Sequence, residues 1–349
     1  MENALFNKYS GLGLSGLANI GNTCYLNSCM QIFSHIYELN EFLDDGNYKK
    51  KINRKPESVI LLEWDKLRQM MWSANCTIGP YGFVKAIQKV SNIKDRDIFS
   101  GSAQNDIQEF LLFIVDCFHI ALAREVEMHI SGNIKNCKDQ LAKTCYEMMR
   151  QMYKKEYSEI LRMFYGIHVS EITSIEKNER LSLRPEPFSV LSLPIPSKNG
   201  NITLYDCLDL YCIKEELKGD NAWFNDKLNK KQDVKKGIIF WSLPEILIID
   251  LKRWGDRGQK IYSLIDAPID NANFVKYVKG YDKESYIYDL FGVCNHSGGS
   301  LGGHYTAFVK NANEKWYEFN DTLVREVNSS NIITSKTYCL FYRKKKISQ

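Results

Sequence analysis

Hydrophobic positions repeat with a helical period in the front part of the chain and with the period of strands further on. Apolar residues spaced at i, i+3, i+4 and i+7 predict a helix that begins near Cys24. The apolar stripe of this helix consists of Leu26, Cys29, Met30 and Phe33. Mostly helical patterns continue to about Cys212, and one of the clearest covers residues 107–118.

Short runs rich in β-branched and aromatic residues begin at Phe188. They predict strands over residues 188–194, 238–241, 246–251, 286–294, 304–309, 316–319 and 338–342. A helical front half followed by a sheet-rich back half predicts an α+β fold. The candidate linkers at 44–55 and 198–202 are too short to separate independent domains, so we expect one folded unit over residues 1–349.

Composition and charge narrow the class of protein. The chain has 349 residues, of which 44% are hydrophobic, so it has enough apolar surface to bury a large core. Its 46 basic and 42 acidic residues are spread along the chain, and only residues 343–346 form a basic run. We interpret that run as a solvated segment, and we expect no nucleic-acid partner.

Cysteine usage predicts a reducing environment. The ten cysteines include no C-x-x-C pair, and several lie inside apolar patterns where free thiols are usually found. The first residues lack the basic and apolar regions of a signal peptide, and no window approaches 18 apolar residues. We therefore expect a soluble intracellular protein, cytoplasmic or nuclear, with no membrane attachment.

Cys24 lies where a glycine-bearing loop passes into the first predicted helix. Unpaired N–H groups and the positive end of the helix dipole at such a point favour a thiolate over a thiol. Cys24 is therefore the candidate nucleophile. Asn19, in the same loop, is a candidate donor to an oxyanion beside the Cys24 backbone N–H, although the alternative is that it only shapes a turn.

A second chemical segment lies near the other end of the chain. The glycine-rich residues 298–303 lead His304 into an alternating strand, and a further strand follows over residues 316–319. A hairpin of these strands brings Asn320 or Asp321 back near His304. Cys24, His304 and Asn320 supply a nucleophile, a general base and a group that orients the imidazole, in the papain-like order.

Five segments of the chain, in order, resemble the ubiquitin-specific protease family of deubiquitinating enzymes. They are residues 16–28, 104–111, 243–254, 302–307 together with 316–321, and 338–342. The resemblance implies a papain-like fold with three parts: a helical thumb over about 16–165, and a palm and fingers of antiparallel sheet over about 166–343. It also implies hydrolysis of the isopeptide or peptide bond after the C-terminal glycine of ubiquitin, through an acyl-enzyme.

The same resemblance assigns roles to individual residues. It makes Cys24 the nucleophile, His304 the general base and acid, Asn320 the orienting residue and Asn19 an oxyanion donor, with Asp321 as the reserve orienting residue. It implies a substrate channel contacted by Asp106, Gly302, Gly303 and Tyr305, in which Asp106 pairs with an arginine of the ubiquitin tail. The alternatives are that Asp106 only starts a helix and that Tyr305 only packs.

The chain departs from the family at the tip of the fingers. Many relatives bind zinc there through two C-x-x-C pairs. The matching positions in this chain are Ser174, Lys177, Asn225 and Leu228. A lysine and a leucine do not replace zinc-bound thiolates, so we expect no metal or other cofactor.

Two other functions remain open at the level of the sequence. One is a catalytically weak scaffold that only holds ubiquitin or a partner protein. The other keeps the thiol chemistry but acts on another ubiquitin-like modifier, or on peptides as a general papain-like protease. We expect ubiquitin and ubiquitinated proteins as partners of a monomer.

Overall fold

The computed structural model describes residues 7–94, 99, 105–198, 200–255, 257–281, 285–299 and 302–346. Helices dominate up to residue 164. They are α1 (Cys24–Ser34), α2 (Tyr37–Asp44), α3 (Tyr48–Lys51), α4 (Ser58–Ser73), α5 (Tyr81–Ile93), α6 (Ile107–Leu122), α7 (Cys137–Glu156), α8 (Glu159–Phe164) and, further on, α9 (Leu204–Tyr211). Within the described ranges, no helix combines the length and the apolar character that crossing a membrane requires.

Strands dominate from residue 166 onward. The longer strands are β3 (Gly166–Ser174), β4 (Arg180–Phe188), β5 (Val190–Pro194), β10 (Val234–Ser242), β11 (Ile246–Lys252), β14 (Ile287–Gly299), β15 (Gly302–Lys310), β16 (Trp316–Asn320), β17 (Leu323–Val327) and β18 (Thr337–Lys344). The short strands are β1 (Gly16–Leu17), β2 (Thr77–Ile78), β6 (Ile202–Thr203), β7 (Glu215–Leu217), β8 (Trp223–Asn225), β9 (Lys230–Gln232), β12 (Ile265–Asp266) and β13 (Ala272–Asn273).

The palm is an eight-stranded sheet with the order β17-β16-β15-β14-β18-β11-β5, and β13 also pairs with β14. Its neighbouring strands are antiparallel except β11 and β5, which are parallel. The fingers are a four-stranded sheet with the order β4-β3-β10-β7. The protein therefore has the α+β architecture of thumb, palm and fingers.

The helix α1 is the central contact between thumb and palm. Every residue of α1 is buried, because its sides pack against α6 on the thumb and against β14, β15 and β16 on the palm. The apolar residues that the sequence placed on its stripe all belong to this large core. The opposite face of the palm sheet packs on α9 and forms a second core. Since α1 is enclosed on all sides, its first residue is held in a fixed position against the sheet.

The periodicity was wrong about the region between residues 166 and 188, which it included among the mostly helical patterns, whereas the family resemblance predicted sheet there. These residues form β3 and β4. Both faces of β3 are partly covered, so its burial does not alternate, and β4 is an edge strand that contains Pro185 and Pro187. In the sequence, apolar and polar residues alternate in β3 only over 167–170, and the alternation of β4 runs into two prolines, which argue against a strand except at a sheet edge.

Candidate active site

Cys24 is the first residue of α1 and is only 4% exposed. The loop before it is closed by its own side chains: Asn19 Oδ1 accepts a hydrogen bond from the Thr23 backbone N–H (3.0 Å), and Thr23 Oγ1 accepts one from the Ile20 backbone N–H (3.1 Å). Asn22 has a φ of 56°, a value that asparagine tolerates better than most residues. These contacts fix the approach of the chain to Cys24.

Burial of Cys24 changes the expected state of its thiol. Burial raises the pKa of the Cys24 thiol above its usual value, and the Asp321 carboxylate raises it further. The backbone N–H groups of Tyr305 and Tyr25 lie close enough to lower this pKa, but their effect is smaller than that of burial. The prediction that the surroundings favour a thiolate is therefore wrong for the free protein, and the thiol needs a base to ionise at neutral pH.

The candidate base, His304, is positioned by the hairpin of β15 and β16. His304 lies near the start of β15 and Asn320 is the last residue of β16. The distance between His304 Nε2 and Asn320 Oδ1 is 2.7 Å, so we assign the ring proton to Nε2, since an amide oxygen only accepts. Nδ1 is then the basic nitrogen. The Tyr305 N–H lies beside the Cys24 sulfur, and Tyr305 directly follows His304 in the chain.

Asp321, the reserve candidate for the orienting residue, makes its contacts with the thumb. It has a φ of 50° in the turn between β16 and β17, and its carboxylate faces the loop that carries Cys24. Oδ2 accepts a hydrogen bond from Asn19 Nδ2 (3.0 Å), and Oδ1 accepts one from Asn27 Nδ2 (2.8 Å). Its carbonyl oxygen accepts a third from the Leu17 N–H (2.9 Å). One residue of the palm thus holds three positions of the thumb.

Gly16 shows how closely these two segments meet. A Cβ atom at Gly16 would collide with the backbone of Thr322, the residue that follows Asp321. The absence of a side chain is required for this contact. The loop before Cys24 and the turn after Asn320 are therefore packed backbone against backbone.

Asp106 is the N-cap residue of α6. Its Oδ1 accepts a hydrogen bond from the Gln108 backbone N–H (2.7 Å), and its Oδ2 accepts one from the Tyr338 hydroxyl (2.8 Å). Asp106 therefore does cap the start of α6, as the alternative interpretation held. Its carboxylate still has lone pairs that can accept hydrogen bonds from a further partner. A second carboxylate, Asp250, lies nearby at 3% exposure, and burial raises its pKa to about 6, with Asp106 contributing in the same direction.

The remaining predicted channel residues lie along the start of β15. Gly302 is exposed and Gly303 is partly exposed, whereas the Tyr305 side chain is buried and its ring centroid lies 4.6 Å from that of His296. Three residues of the predicted motifs lie outside the described residues, namely Gln104, Ser300 and Leu301.

Sequence reasoning missed several contacts around the site. It treated Asp321 only as a reserve orienting residue, and it did not single out Asp250 or Lys260. The hydrogen bond between Asn19 and Asp321 joins residues 302 positions apart, so no local pattern indicates it. The available signal for Asp250 was an acidic residue inside the apolar run of β11, where charged residues are rarely buried without a partner.

The fold is that of the papain-like class of cysteine proteases. A family model described as ubiquitin carboxyl-terminal hydrolase matches residues 15–342. The chain belongs to this family.

Individual relatives agree with the family assignment. The chain is 32% identical over 340 residues to ubiquitin carboxyl-terminal hydrolase Usp2 of Drosophila melanogaster, a match that covers 95% of this chain and 35% of that protein. It is 32% identical over 350 residues to ubiquitin carboxyl-terminal hydrolase 2 of Homo sapiens, covering 96% of this chain and 56% of that protein. The chain thus spans about a third of the fly protein and just over half of the human one.

A solved structure has the same fold. The SAGA Ubp8/Sgf11/Sus1/Sgf73 DUB module bound to ubiquitin aldehyde includes a chain that is 26% identical, with a TM-score of 0.73. The match covers 96% of this chain and 70% of that chain.

Proposed function

We propose that this protein is a deubiquitinating thiol hydrolase, in which Cys24, His304 and Asn320 act as nucleophile, base and orienting residue. The observation that carries the proposal is the 2.7 Å contact between His304 Nε2 and Asn320 Oδ1. The residue after His304, Tyr305, contacts the Cys24 sulfur through its backbone N–H. Family membership and a similar fold bound to ubiquitin aldehyde support ubiquitin as the substrate.

The proposed reaction has two halves. His304 Nδ1 accepts the proton of Cys24, and the sulfur attacks the carbonyl carbon of the last ubiquitin glycine to give a tetrahedral oxyanion. His304 then gives this proton to the leaving amine as the C–N bond breaks, which leaves a thioester at Cys24. A water molecule, deprotonated by His304, attacks the thioester, and the C–S bond breaks. His304 returns its proton to the Cys24 sulfur, and the released carboxylic acid of ubiquitin loses its proton to water to give the carboxylate.

Asn19 is proposed to stabilise the oxyanion together with the Cys24 backbone N–H. Its Nδ2 carries two hydrogens, and the contact with Asp321 uses one of them. Because this contact fixes the plane of the Asn19 amide, the direction of the second Nδ2 hydrogen is fixed as well. A donor of this type typically stabilises the transition state by about 3 kcal/mol.

The substrate tail is proposed to pass along Asp106, Gly302, Gly303 and Tyr305. The two glycines at the start of β15 allow a backbone to approach the sheet closely, and the Asp106 carboxylate is fixed by Gln108 and Tyr338. A fixed carboxylate is preorganised to accept hydrogen bonds from an arginine of the tail.

The fingertip is proposed to be metal-free. Ser174 Oγ accepts a hydrogen bond from the Lys177 backbone N–H (3.3 Å), and Asn225 uses its amide on Gln232 and on the Lys227 backbone N–H (3.0 and 3.1 Å). Leu228 is exposed and offers no donor atom. This donor set does not fit zinc, which prefers thiolate and imidazole ligands.

Further along the fingers, Glu171 accepts hydrogen bonds from Arg180 (2.7 Å) and Lys214 (2.9 Å). This network is proposed to stabilise the fingers in place of the metal. We also propose an intracellular site of action, which the free state of all ten cysteines supports.

Side-by-side turnover assays test the proposed function. Fluorogenic ubiquitin, a second fluorogenic ubiquitin-like modifier and an unrelated fluorogenic peptide are compared at equal concentration. The proposal predicts turnover of ubiquitin with little cleavage of the other two. Ubiquitin binding without turnover would favour the scaffold, and preferred turnover of either other substrate would favour the corresponding alternative.

A further inference from the structure

Lys260 inserts its ammonium beneath the end of β14, from the connection between β11 and β12. Its Nζ lies 2.7 Å from His296 Nδ1, 2.8 Å from the His296 carbonyl oxygen and 3.4 Å from the Gly298 carbonyl oxygen. Two of these acceptors are backbone carbonyls of β14, and the third is a side chain of the same strand. Lys260 therefore acts on β14 as a multiple hydrogen-bond donor.

The position of these acceptors explains why a donor is needed there. The pairing of β18 with β14 ends at Asn295 and Thr337, whereas the pairing of β15 with β14 continues to Gly299. The carbonyl groups of His296 and Gly298 point away from β15 towards the side that β18 has left. Lys260 donates to these carbonyls where no strand does so among the described residues.

The contact also fixes the state of the His296 ring. An ammonium group has no lone pair, so Nδ1 of His296 must be the acceptor, and in the neutral ring the proton is on Nε2. Burial lowers the pKa of His296 to about 4, and Lys260 contributes in the same direction. The ring is thus neutral near pH 7, in one tautomer and one orientation.

His296 in turn contacts both chain neighbours of His304. A Cβ atom at Gly303 would collide with His296 Nε2, so the ring lies directly against the Gly303 backbone. On the other side, the ring centroid of His296 is 4.6 Å from that of Tyr305. In the sheet register, His296 faces Tyr305 and Ser297 faces His304. The His296 ring therefore supports the strand on either side of the catalytic imidazole.

We propose that Lys260 is a positioning residue for His304, acting through the His296 ring, a role that rests on the proposed hydrolase function. Lys260 fixes His296, and His296 holds the Gly303–Tyr305 backbone so that His304 keeps its contact with Asn320. Lys260 touches neither the substrate bond nor Cys24. Misplacement of a catalytic group by about 1 Å typically costs up to about a hundredfold in rate.

The first test compares Lys260→Met with Arg257→Met, a matched control at an exposed position of the same connection. With fluorogenic ubiquitin, Lys260→Met is expected to lower kcat about ten- to a hundredfold while KM stays within about twofold. Arg257→Met is expected to match the wild type. An active wild type whose Lys260→Met variant keeps full kcat would overturn the proposal.

The second test uses the pH profile of kcat, which a purely structural role would not change in shape. Without the ammonium, the contribution of Lys260 to lowering the pKa of His296 is lost while the larger effect of burial remains, so the loss of kcat at acid pH is expected to begin at a higher pH in Lys260→Met than in the wild type. The other groups that face the ring are the hydroxyl-bearing rings of Tyr305 and Tyr338 and the indole of Trp254. Lys260→Arg keeps the charge and is expected to retain the wild-type profile. A wild-type profile for Lys260→Met would contradict the role of His296.

A double-mutant cycle separates action through His296 from an independent effect. The double variant Lys260→Met with His296→Asn is expected to have the kcat of His296→Asn alone, and multiplicative losses would overturn the proposal. If Lys260→Met does not fold, Lys260→Gln replaces it in the same cycle. Failure of the wild type to cleave ubiquitin would instead overturn the proposed function.

Discussion

Asp321 Oδ2 accepts a hydrogen bond from Asn19 Nδ2 at 3.0 Å, which links the palm turn after Asn320 to the proposed oxyanion donor on the thumb. The other carboxylate oxygen holds Asn27 of α1 at 2.8 Å. The proposed base-orienting residue and the residue that holds the proposed oxyanion donor are thus consecutive in the chain. The geometry of both halves of the site depends on the same turn.

The variant Asp321→Asn tests this link. An amide retains only one acceptor oxygen, so the substituted side chain cannot accept from both Asn19 and Asn27, and kcat for fluorogenic ubiquitin is expected to fall about ten- to a hundredfold. The negative charge that raises the pKa of Cys24 is also lost. The midpoint of the pH dependence of Cys24 alkylation by iodoacetamide is therefore expected to move to lower pH, and a shift to higher pH would contradict the assigned electrostatics.

Removal of the Asn320 side chain tests the orienting role. Asn320→Ala leaves His304 Nε2 without its acceptor, so the ring is free to turn and kcat is expected to fall about tenfold or more. Asn320→Asp keeps an acceptor oxygen at the same place and is expected to recover most of the activity. Equal losses of kcat in both variants, measured with fluorogenic ubiquitin, would contradict the role of Asn320 as a hydrogen-bond acceptor for His304.

The sequence predicted the local structure around the candidate site. A loop followed by a helical stripe identified Cys24, and two alternating runs joined by a short connection identified the His304 hairpin. The contacts of Asp321 with Asn19 and of Lys260 with His296 join residues 302 and 36 positions apart, so they follow from tertiary packing alone. Periodicity missed the strands β3 and β4 for a different reason, since the alternation of β3 is short and that of β4 is interrupted by Pro185 and Pro187.

The buried carboxylate of Asp250 predicts a pH-dependent cost to stability. Its pKa is raised to about 6 by burial, so the folded protein binds a proton more tightly than the unfolded chain does. The stability contribution of Asp250 is therefore highest below its unfolded pKa and is lost as pH rises through about 6, by roughly 2 to 3 kcal/mol. Asp250→Asn is expected to be more stable than the wild type at pH 7.5, with the difference shrinking towards pH 5.

Denaturant unfolding of both proteins over this pH range measures the effect. His35 changes stability in the opposite direction, because burial lowers its pKa to about 4 and its contribution is lost as pH falls. Since His35 is present in both proteins, its contribution cancels in the difference between them. A difference that does not change with pH would contradict the assignment to Asp250.

The ion-pair network of the fingers predicts an effect on substrate affinity. Glu171→Gln removes the charge that Arg180 and Lys214 share, which is expected to destabilise the fingers by about 1 to 2 kcal/mol. If the fingers hold the body of ubiquitin, KM for fluorogenic ubiquitin rises several-fold while kcat stays near that of the wild type. Glu176→Gln, at an exposed position of the same sheet tip, is the control and is expected to change neither constant.

The identity of the nucleophile is tested most directly by mass spectrometry after reaction with a ubiquitin probe that has an electrophilic C-terminus. The wild type and Cys29→Ala, which changes a buried cysteine of the same helix, are expected to form one adduct each, located on Cys24. Cys24→Ala is expected to form none while retaining the wild-type melting temperature. An adduct on any other cysteine, or an adduct with Cys24→Ala, would contradict the proposed mechanism.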